Sequence, residues 1–212
     1  MACPICQKRN PKRFCPAKAA SICSVCCGTE REVTLDCPSE CPYLIESRRH
    51  DFERRDFDWS KLPFPDVRVD PSIAKNQGLL FSVLPLSICA FARAHPSLVD
   101  TEVLAALQAL AETYRTLASG IYYEKPPDFG FERQLYAVLK DSIQKFKKDL
   151  AAGLGAASVA DSAIRDVLIF FTQLGARHLN GRVKGRAFLD LLRKESKIDY
   201  PAAQGSGMIV RP

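Results

Sequence analysis

Two pairs of cysteines at the start of the sequence have the spacing of a metal site. Cys3 and Cys6 form one C-x2-C pair, and Cys23 and Cys26 form a second pair after sixteen intervening residues. Two residues between thiolates allow one tight turn to present both sulfurs along one edge of a tetrahedron, and a second pair supplies the opposite edge. We therefore predict that these four residues form a structural zinc site.

Four more cysteines lie in the same segment and predict a second zinc site. They are Cys15, Cys27, Cys37 and Cys41. Because Cys15 lies between the two pairs and Cys37 and Cys41 follow them, the two sites interleave in sequence and each braces the loops of the other. Cys26 and Cys27 are adjacent, so which of them serves which zinc stays open. A disulfide within this second set is the competing interpretation.

The chemistry expected of such metal ions is structural. A catalytic zinc usually has three protein ligands and keeps one position open for water or substrate, whereas eight thiolates saturate two zinc ions. Each structural site contributes on the order of 10 kcal/mol of folding free energy in zinc-finger peptides. Oxidation at Cys26 and Cys27 would eject zinc, which gives a redox or zinc sensor as a further alternative.

The cysteine spacing also resembles known families of zinc fingers. The run Cys3-x2-Cys6-x8-Cys15-x7-Cys23-x2-Cys26 resembles the opening of a B-box finger, and Cys23-x3-Cys27 with Cys37-x3-Cys41 is similar to MYND and HIT fingers. The resemblance covers residues 1–41 and implies a cross-braced double-zinc module that contacts proteins. Lys18 stands where B-box and MYND fingers have a ligand. The whole block also resembles the N-terminus of a group of bacterial proteins, which implies no activity.

Two basic clusters give nucleic-acid binding as the alternative function. Their candidate anion contacts are Lys8, Arg9, Lys12 and Arg13 in the first cluster, and Arg182, Lys184 and Arg186 within the second cluster at 177–197. A rigid loop with four cations can hold a phosphate backbone. The competing interpretations are that the first cluster neutralises the thiolates and that the second merely turns the chain.

Composition and charge favour an ordinary globular protein. The 212 residues are 47% hydrophobic and 25% charged, with a formal charge of +6. Eight thiolates and two zinc ions would add about −4, so the global charge is a poor argument for nucleic-acid binding. The start of the chain lacks the basic and apolar regions of a secretory signal, and the apolar run Leu79–Ala92 is too short to span a bilayer. We expect a cytoplasmic protein without membrane contact, in which clustered cysteines bind metal.

The remaining candidate residues do not form a catalytic constellation. Cys89 lies in an apolar run and is expected to be a small core residue. His50, His95 and His178 are scattered, although His50 could replace one cysteine as a ligand. The sequence contains no Walker loop, no G-x-S-x-G and no H-E-x-x-H motif. We therefore expect that the protein is not an enzyme.

The periodicity of apolar residues predicts a mainly α fold in four segments. Residues 1–42 form the zinc module, with one short strand at Arg31–Leu35, and residues 43–69 form a charged helix and a proline-rich linker. Residues 70–198 form a bundle of four or five helices, with breaks at Gly78 or Pro85, and residues 199–212 form a flexible tail. Asp100 is expected to cap a strong helix that ends before Gly120.

These features together predict a non-enzymatic interaction or adaptor protein. Its zinc module would present a rigid surface to a protein partner, while the helical bundle docks or dimerises.

Overall fold

The computed structural model describes residues 2–55, 58–70, 72–154 and 159–196, within which eight helices and one two-stranded sheet lie. The helices are α1 (Ser24–Glu30), α2 (Pro42–Arg54), α3 (Ile73–Asn76), α4 (Gly78–Ala94), α5 (Asp100–Ala118), α6 (Gly130–Leu154), α7 (Asp161–His178) and α8 (Ala187–Glu195). A cysteine-rich segment therefore precedes a mainly helical chain, which confirms the predicted fold class.

The sheet is a hairpin inside the cysteine-rich segment. Strand β1 (Arg13–Cys15) pairs antiparallel with β2 (Ala20–Ile22), and the 3₁₀ turn Pro16–Lys18 joins them. The hairpin ends directly before Cys23, so it brings the second cysteine pair back to the first.

The strand predicted at Arg31–Leu35 is wrong. The two end residues form a single isolated bridge, and the residues between them turn. The carbonyl of Glu30 accepts N–H groups from Val33, Thr34 and Leu35, which closes the turn. Five alternating residues need a neighbouring strand to form a ladder, and none pairs with them among the described residues.

Helix α2 begins after Cys41, with Pro42 at its first position, where the missing proline N–H costs nothing. Leu44 is fully buried, whereas Ile45 and Phe52 are more than half exposed. Residues 56 and 57, which the predicted charged helix and linker include, lie outside the described residues.

Helices α4 to α8 enclose one hydrophobic core. Helix α5 packs against both α6 and α7, and α4 packs against α6 and α8. The apolar stripe that the spacing predicts on α5 is buried from Val103 to Tyr114 and partly buried at Leu117, and α5 ends before Gly120 at φ +81° as expected. The proline-rich segment lies against this bundle, because Phe64 is part of the core and Gln173 Nε2 donates to its carbonyl. The proposed domain limits stay a prediction.

The break predicted near Gly78 is confirmed, since α3 ends at Asn76 and α4 begins at Gly78. Pro85 lies inside α4 and does not end it.

The capping role predicted for Asp100 is wrong. Val99 precedes α5 as its N-cap, and Glu102 accepts the backbone N–H of Val99. The Asp100 carboxylate instead accepts the N–H groups of Phe188 and Leu189 at 2.9 and 3.0 Å, at the start of α8. Asp100 therefore satisfies backbone donors of a helix that lies 87 residues further along the chain.

The predicted tail at 199–212 lies outside the described residues. Among the residues that are described, no helix is both long and apolar enough to cross a membrane.

Candidate metal centre

Four sulfur atoms converge at the N-terminus of the molecule. The Sγ atoms of Cys3, Cys6, Cys23 and Cys26 all lie within 4.8 Å of one another; we call this set the four-sulfur site. Cys6 Sγ and Cys23 Sγ are 3.9 Å apart, and no disulfide joins any cysteines in the described residues. A tetrahedron with Zn–S distances of ~2.3 Å has S–S edges of about 3.8 Å. The arrangement therefore has the size of a four-thiolate metal site.

Local backbone structure positions each pair of sulfurs. In the first pair, the N–H of Gln7 donates to the carbonyl of Cys3 at 2.7 Å, and Gln7 adopts a left-handed φ of 53°. In the second pair, Cys23 is the N-cap of α1 and its sulfur accepts the N–H of Cys26 at 3.4 Å. The two pairs are joined directly, because the N–H of Cys23 donates to Cys3 Sγ at 3.3 Å.

The backbone around the site stabilises thiolates at two positions. The N–H groups of Lys8 and Arg9 lower the pKa of Cys6 to about 6. Burial by itself would raise the pKa of Cys3, but the N–H groups of Cys6 and Cys23 bring it below its ordinary value. The thiolates are therefore stabilised by backbone N–H groups, whereas the basic side chains of this loop were expected to do so.

The sulfur of Cys26 keeps its proton while no cation is bound. Burial raises the pKa of Cys26 to about 12, and the neighbouring sulfurs of Cys23, Cys6 and Cys3 contribute in the same direction. A cluster of four sulfurs this close cannot hold four negative charges without a cation at its centre. The site is therefore arranged to exchange protons for a metal ion.

The composition of the four-sulfur site limits its chemistry. Sulfur ligands suit zinc and other soft metal ions, and four of them fill a tetrahedron.

No family model, curated protein or solved structure matches this chain. The likeness to B-box, MYND and HIT fingers therefore rests on the cysteine spacing alone, and what the structure shows is a cluster of four cysteines that could hold a metal ion.

Cys15, Cys27 and Cys37 of the second cysteine set belong to or pack against the same small hydrophobic cluster as the four-sulfur site, but the sulfurs of this set lie less close together. Cys15 lies on β1, Cys27 on α1 and Cys41 at the N-cap of α2, and all three are buried. Burial raises the pKa of the half-buried Cys37, and the neighbouring Cys41 and Cys15 add to that effect. Within the described residues, the four-sulfur site is the group in which three or more possible metal ligands lie within 4.8 Å of one another, and the second set does not form such a group.

Cys27 has a further contact that its position in the sequence does not reveal. Arg31 Nη2 lies 3.8 Å from Cys27 Sγ, and Arg31 is itself buried. Arg31 therefore donates a hydrogen bond from a buried guanidinium to this sulfur. The choice between Cys26 and Cys27 is decided for one site, because it is Cys26 that joins the four-sulfur site.

A buried glutamate, which the sequence analysis missed, connects the cysteine-rich segment to the helical bundle. Glu32 is 2% exposed and has φ +52°. Its carboxylate accepts Arg48 Nη2 at 2.5 Å and Asn180 Nδ2 at 2.7 Å, while Arg48 Nη1 donates to Asp190 at 2.6 Å. A turn residue in a charged stretch looks solvent-exposed in sequence, so only the tertiary contacts reveal its burial.

The basic residues predicted at 182–186 are held in contacts within the chain. Arg182 Nη1 donates to the carbonyls of Gly28 and Arg31, and Lys184 Nζ donates to that of Thr34 at 3.0 Å. Arg186 Nη1 pairs with Asp36, and its Nε donates to the carbonyl of Leu98. The loop Asn180–Arg186, here called the docking loop, therefore lies on the turn that follows α1.

The first basic cluster remains at the surface. Lys8, Arg9 and Lys12 are exposed, whereas the guanidinium of Arg13 lies 4.8 Å from the centre of the Tyr43 ring. These side chains are available to an external anion, but nothing in their arrangement selects one.

Cys89 and the three histidines lie apart from the four-sulfur site. Cys89 is fully buried in the helical core, which confirms the prediction for it, and burial raises its pKa. The His95 ring makes tilted contacts with the rings of Phe91 and Phe131, while His178 stacks on Phe52 with ring centroids 5.5 Å apart. His50 is exposed on α2.

Proposed function

We propose that the chain is a non-enzymatic adaptor in which a zinc-dependent module presents a rigid surface to a protein partner. The observation that carries this proposal is the convergence of four cysteine sulfurs into one set of tetrahedral size. Four thiolates leave a zinc ion no open position and reduce its Lewis acidity, so a structural role is favoured over a catalytic one.

The surface of the module supports binding to a protein. Phe14, Val25 and Val33 are 59%, 46% and 40% exposed, although the segment has few large apolar residues in total. Phe14 lies on β1 and Val25 on α1, so the elements that position the four-sulfur site also carry these side chains. Exposed apolar residues on a rigid frame are typical of interaction surfaces.

We further propose that the second cysteine set binds a second zinc ion. The buried positions of Cys15, Cys27 and Cys41 and the proximity of Cys37 to Cys15 and Cys41 support this assignment. Binding would draw the sulfurs closer together and would order the start of α2, because Cys41 is its N-cap. The module would then be braced by two ions, as its sequence pattern implies.

The test of the proposed function is a binding comparison that separates the zinc module from the bundle. Proximity labelling in cells would be compared for the natural chain, for Cys23→Ser and for Cys89→Ala as the matched control. We expect a partner set that is lost with Cys23→Ser and kept with Cys89→Ala. An identical partner set for all three proteins would contradict the proposal.

Nucleic-acid binding remains the second candidate because Lys8, Arg9 and Lys12 are exposed. It requires an affinity for an oligonucleotide that falls steeply with salt and drops on charge reversal at Arg9. Binding that depends on neither salt nor this residue would remove the candidate.

A further inference from the structure

An open groove of about 430 Å³ lies between α2, the end of α7 and α8. Apolar side chains from two helices line it: Ile45 and Phe52 lie two turns apart on α2, and Leu191 lies on α8. Ile45 and Phe52 are 55% and 54% exposed, and the Phe52 ring is held parallel to the imidazole of His178. The groove therefore has a fixed and solvent-exposed apolar lining.

Basic side chains outnumber acidic ones around these apolar residues. The basic residues are Arg48, Arg49, Arg55, Arg177 and Lys194, and the acidic residues are Asp51 and Asp190. Arg48 is balanced by Glu32 and Asp190, with contacts of 2.5 and 2.6 Å. The pairing of Arg49 with Glu53 is weak, because the atoms are 4.0 Å apart and both side chains are mostly exposed.

The guanidinium of Arg55 is held along the groove by a backbone contact that leaves its positive charge in place. Arg55 Nη1 donates to the carbonyl of Arg177 at 3.2 Å, and the guanidinium of Arg177 lies over the ring of Trp59. Burial, together with Arg177 and Arg55, lowers the pKa of His178, so this imidazole is neutral at pH 7. The groove thus combines an apolar lining with excess positive charge.

We infer that this groove binds a short acidic segment of a partner protein, in which carboxylates flank an apolar side chain. The apolar side chain would cover Ile45 and Phe52, and the carboxylates would meet Arg49, Arg55 and Lys194. The charge complementarity favours an acidic partner. A nucleic acid fits less well, because Asp51 and Asp190 lie in the groove and would repel a continuous phosphate backbone. The inference rests on the proposed adaptor function and specifies the chemistry of its partner.

The test uses charge reversal at two exposed groove residues in the full-length, zinc-loaded chain. The groove variant is Arg49→Glu with Lys194→Glu. The matched control is Arg54→Glu, which reverses an exposed charge on the same helix outside the groove. The probe is a fluorescein-labelled peptide that alternates Glu-Glu and Leu-Phe pairs, and fluorescence anisotropy measures its binding. A glutamine analogue of the peptide and a single-stranded oligothymidylate are compared with it.

We expect the acidic peptide to bind the natural chain and Arg54→Glu equally, and to bind the groove variant at least about tenfold more weakly. The glutamine analogue should bind weakly to all three proteins. Three results would overturn the inference: no binding of the acidic peptide, equal binding to the groove variant, or stronger binding of the oligonucleotide that the groove variant abolishes.

Zinc content measured on the same samples separates this inference from the proposed function. A zinc-loaded chain that fails to bind the peptide contradicts the groove assignment alone. A chain that binds no zinc contradicts the proposed function, whatever the peptide does.

Discussion

The protonation of single cysteine residues determines how the metal centre responds to pH. Cys6 has a pKa of about 6 because the N–H groups of Lys8 and Arg9 stabilise its thiolate, whereas burial and neighbouring sulfurs hold that of Cys26 at about 12. The metal-free chain therefore reaches neutral pH with one sulfur already ionised and another still protonated. A metal ion must displace the proton of Cys26, and the energetics of binding follow from that exchange.

We predict that zinc binding releases protons at about pH 8 and weakens as the pH falls. At about pH 8, Cys6 is ionised and Cys26 is protonated, so binding releases the proton of Cys26. Below about pH 6, Cys6 also carries a proton that zinc must displace, and the affinity should fall more steeply with pH. Titration calorimetry in buffers of different ionisation enthalpy measures the released protons. Zinc binding at about pH 8 without proton release would contradict this protonation scheme.

The individual elements of the fold depend on a few contacts that can be changed one at a time. Gly175 on α7 is buried where a Cβ would lie 2.6 Å from Leu104 Cδ1 and 3.0 Å from the Phe188 ring. Helices α5, α7 and α8 meet at this glycine, so its missing side chain allows all three to approach.

We predict that Gly175→Ala destabilises the chain by about 1–3 kcal/mol, because the added methyl group overpacks this contact. Gly153→Ala is the matched control, since a Cβ at this position in α6 meets nothing within 4 Å. The control should raise the free energy of unfolding by roughly 0.5–1 kcal/mol, the gain in helix propensity. Urea unfolding measures both variants. Equal effects of the two substitutions would show that the packing of α7 against α5 and α8 does not require a glycine at position 175.

The start of α8 depends on a carboxyl group from α5. Burial raises the pKa of Asp100 to about 7, although the N–H groups of Phe188 and Leu189 act in the opposite direction. The folded-state pKa lies above the unfolded value of about 3.9, so the folded chain binds the proton more tightly. This group therefore stabilises the folded state fully below about pH 4, and the contribution is lost as the pH rises to about 7.

We predict that Asp100→Asn removes this part of the pH dependence. The natural chain should lose stability relative to the variant between about pH 5 and pH 7, and the difference should be constant above about pH 8. Urea unfolding of both proteins across this range measures it. The comparison cancels the titration of the cysteines, which both chains share. Parallel stability curves would show that the carboxyl group does not titrate in the folded chain.

At the scale of the whole molecule, the cysteine-rich segment and the helical bundle share a buried charged contact. Glu32 accepts hydrogen bonds from Arg48 at 2.5 Å and from Asn180 at 2.7 Å, and Arg48 also donates to Asp190 at 2.6 Å. The docking loop adds backbone contacts, including the N–H of Lys184 to the carbonyl of Glu32 at 2.8 Å. The segment that carries the four-sulfur site is therefore connected to the helices that form the groove.

We predict that Glu32→Gln weakens this connection and lowers the free energy of unfolding by about 3 kcal/mol, because Arg48 loses a buried charged partner. Hydrogen exchange should increase together in residues 28–36 and in the docking loop. Glu40→Gln, an exposed change in the same segment, is the control and should leave both regions protected. Increased exchange in only one of the two regions would show that the contact does not couple them.

Sequence patterns were informative where the relevant contacts are local. The four-sulfur site, the start of α2, the stripe of α5 and its end before Gly120 follow from residue spacing and turn chemistry. The missed features depend on contacts that are distant in sequence. Alternation at Arg31–Leu35 predicted a strand that has no partner, and Asp100 was assigned to the helix beside it when it serves α8. No periodicity distinguishes the buried Glu32 from an exposed glutamate.

The central claim is that the chain binds zinc through its clustered cysteines, and metal stoichiometry tests it most directly. Native mass spectrometry of the purified chain, with chelator titration, counts the ions in the natural protein, in Cys6→Ser and in Cys89→Ala. We predict two zinc ions for the natural chain and for Cys89→Ala, and fewer for Cys6→Ser, which disrupts the four-sulfur site. A natural chain that binds one zinc ion, and that still binds it after Cys37→Ser, would remove the second site. A natural chain that takes up no zinc would contradict the account as a whole.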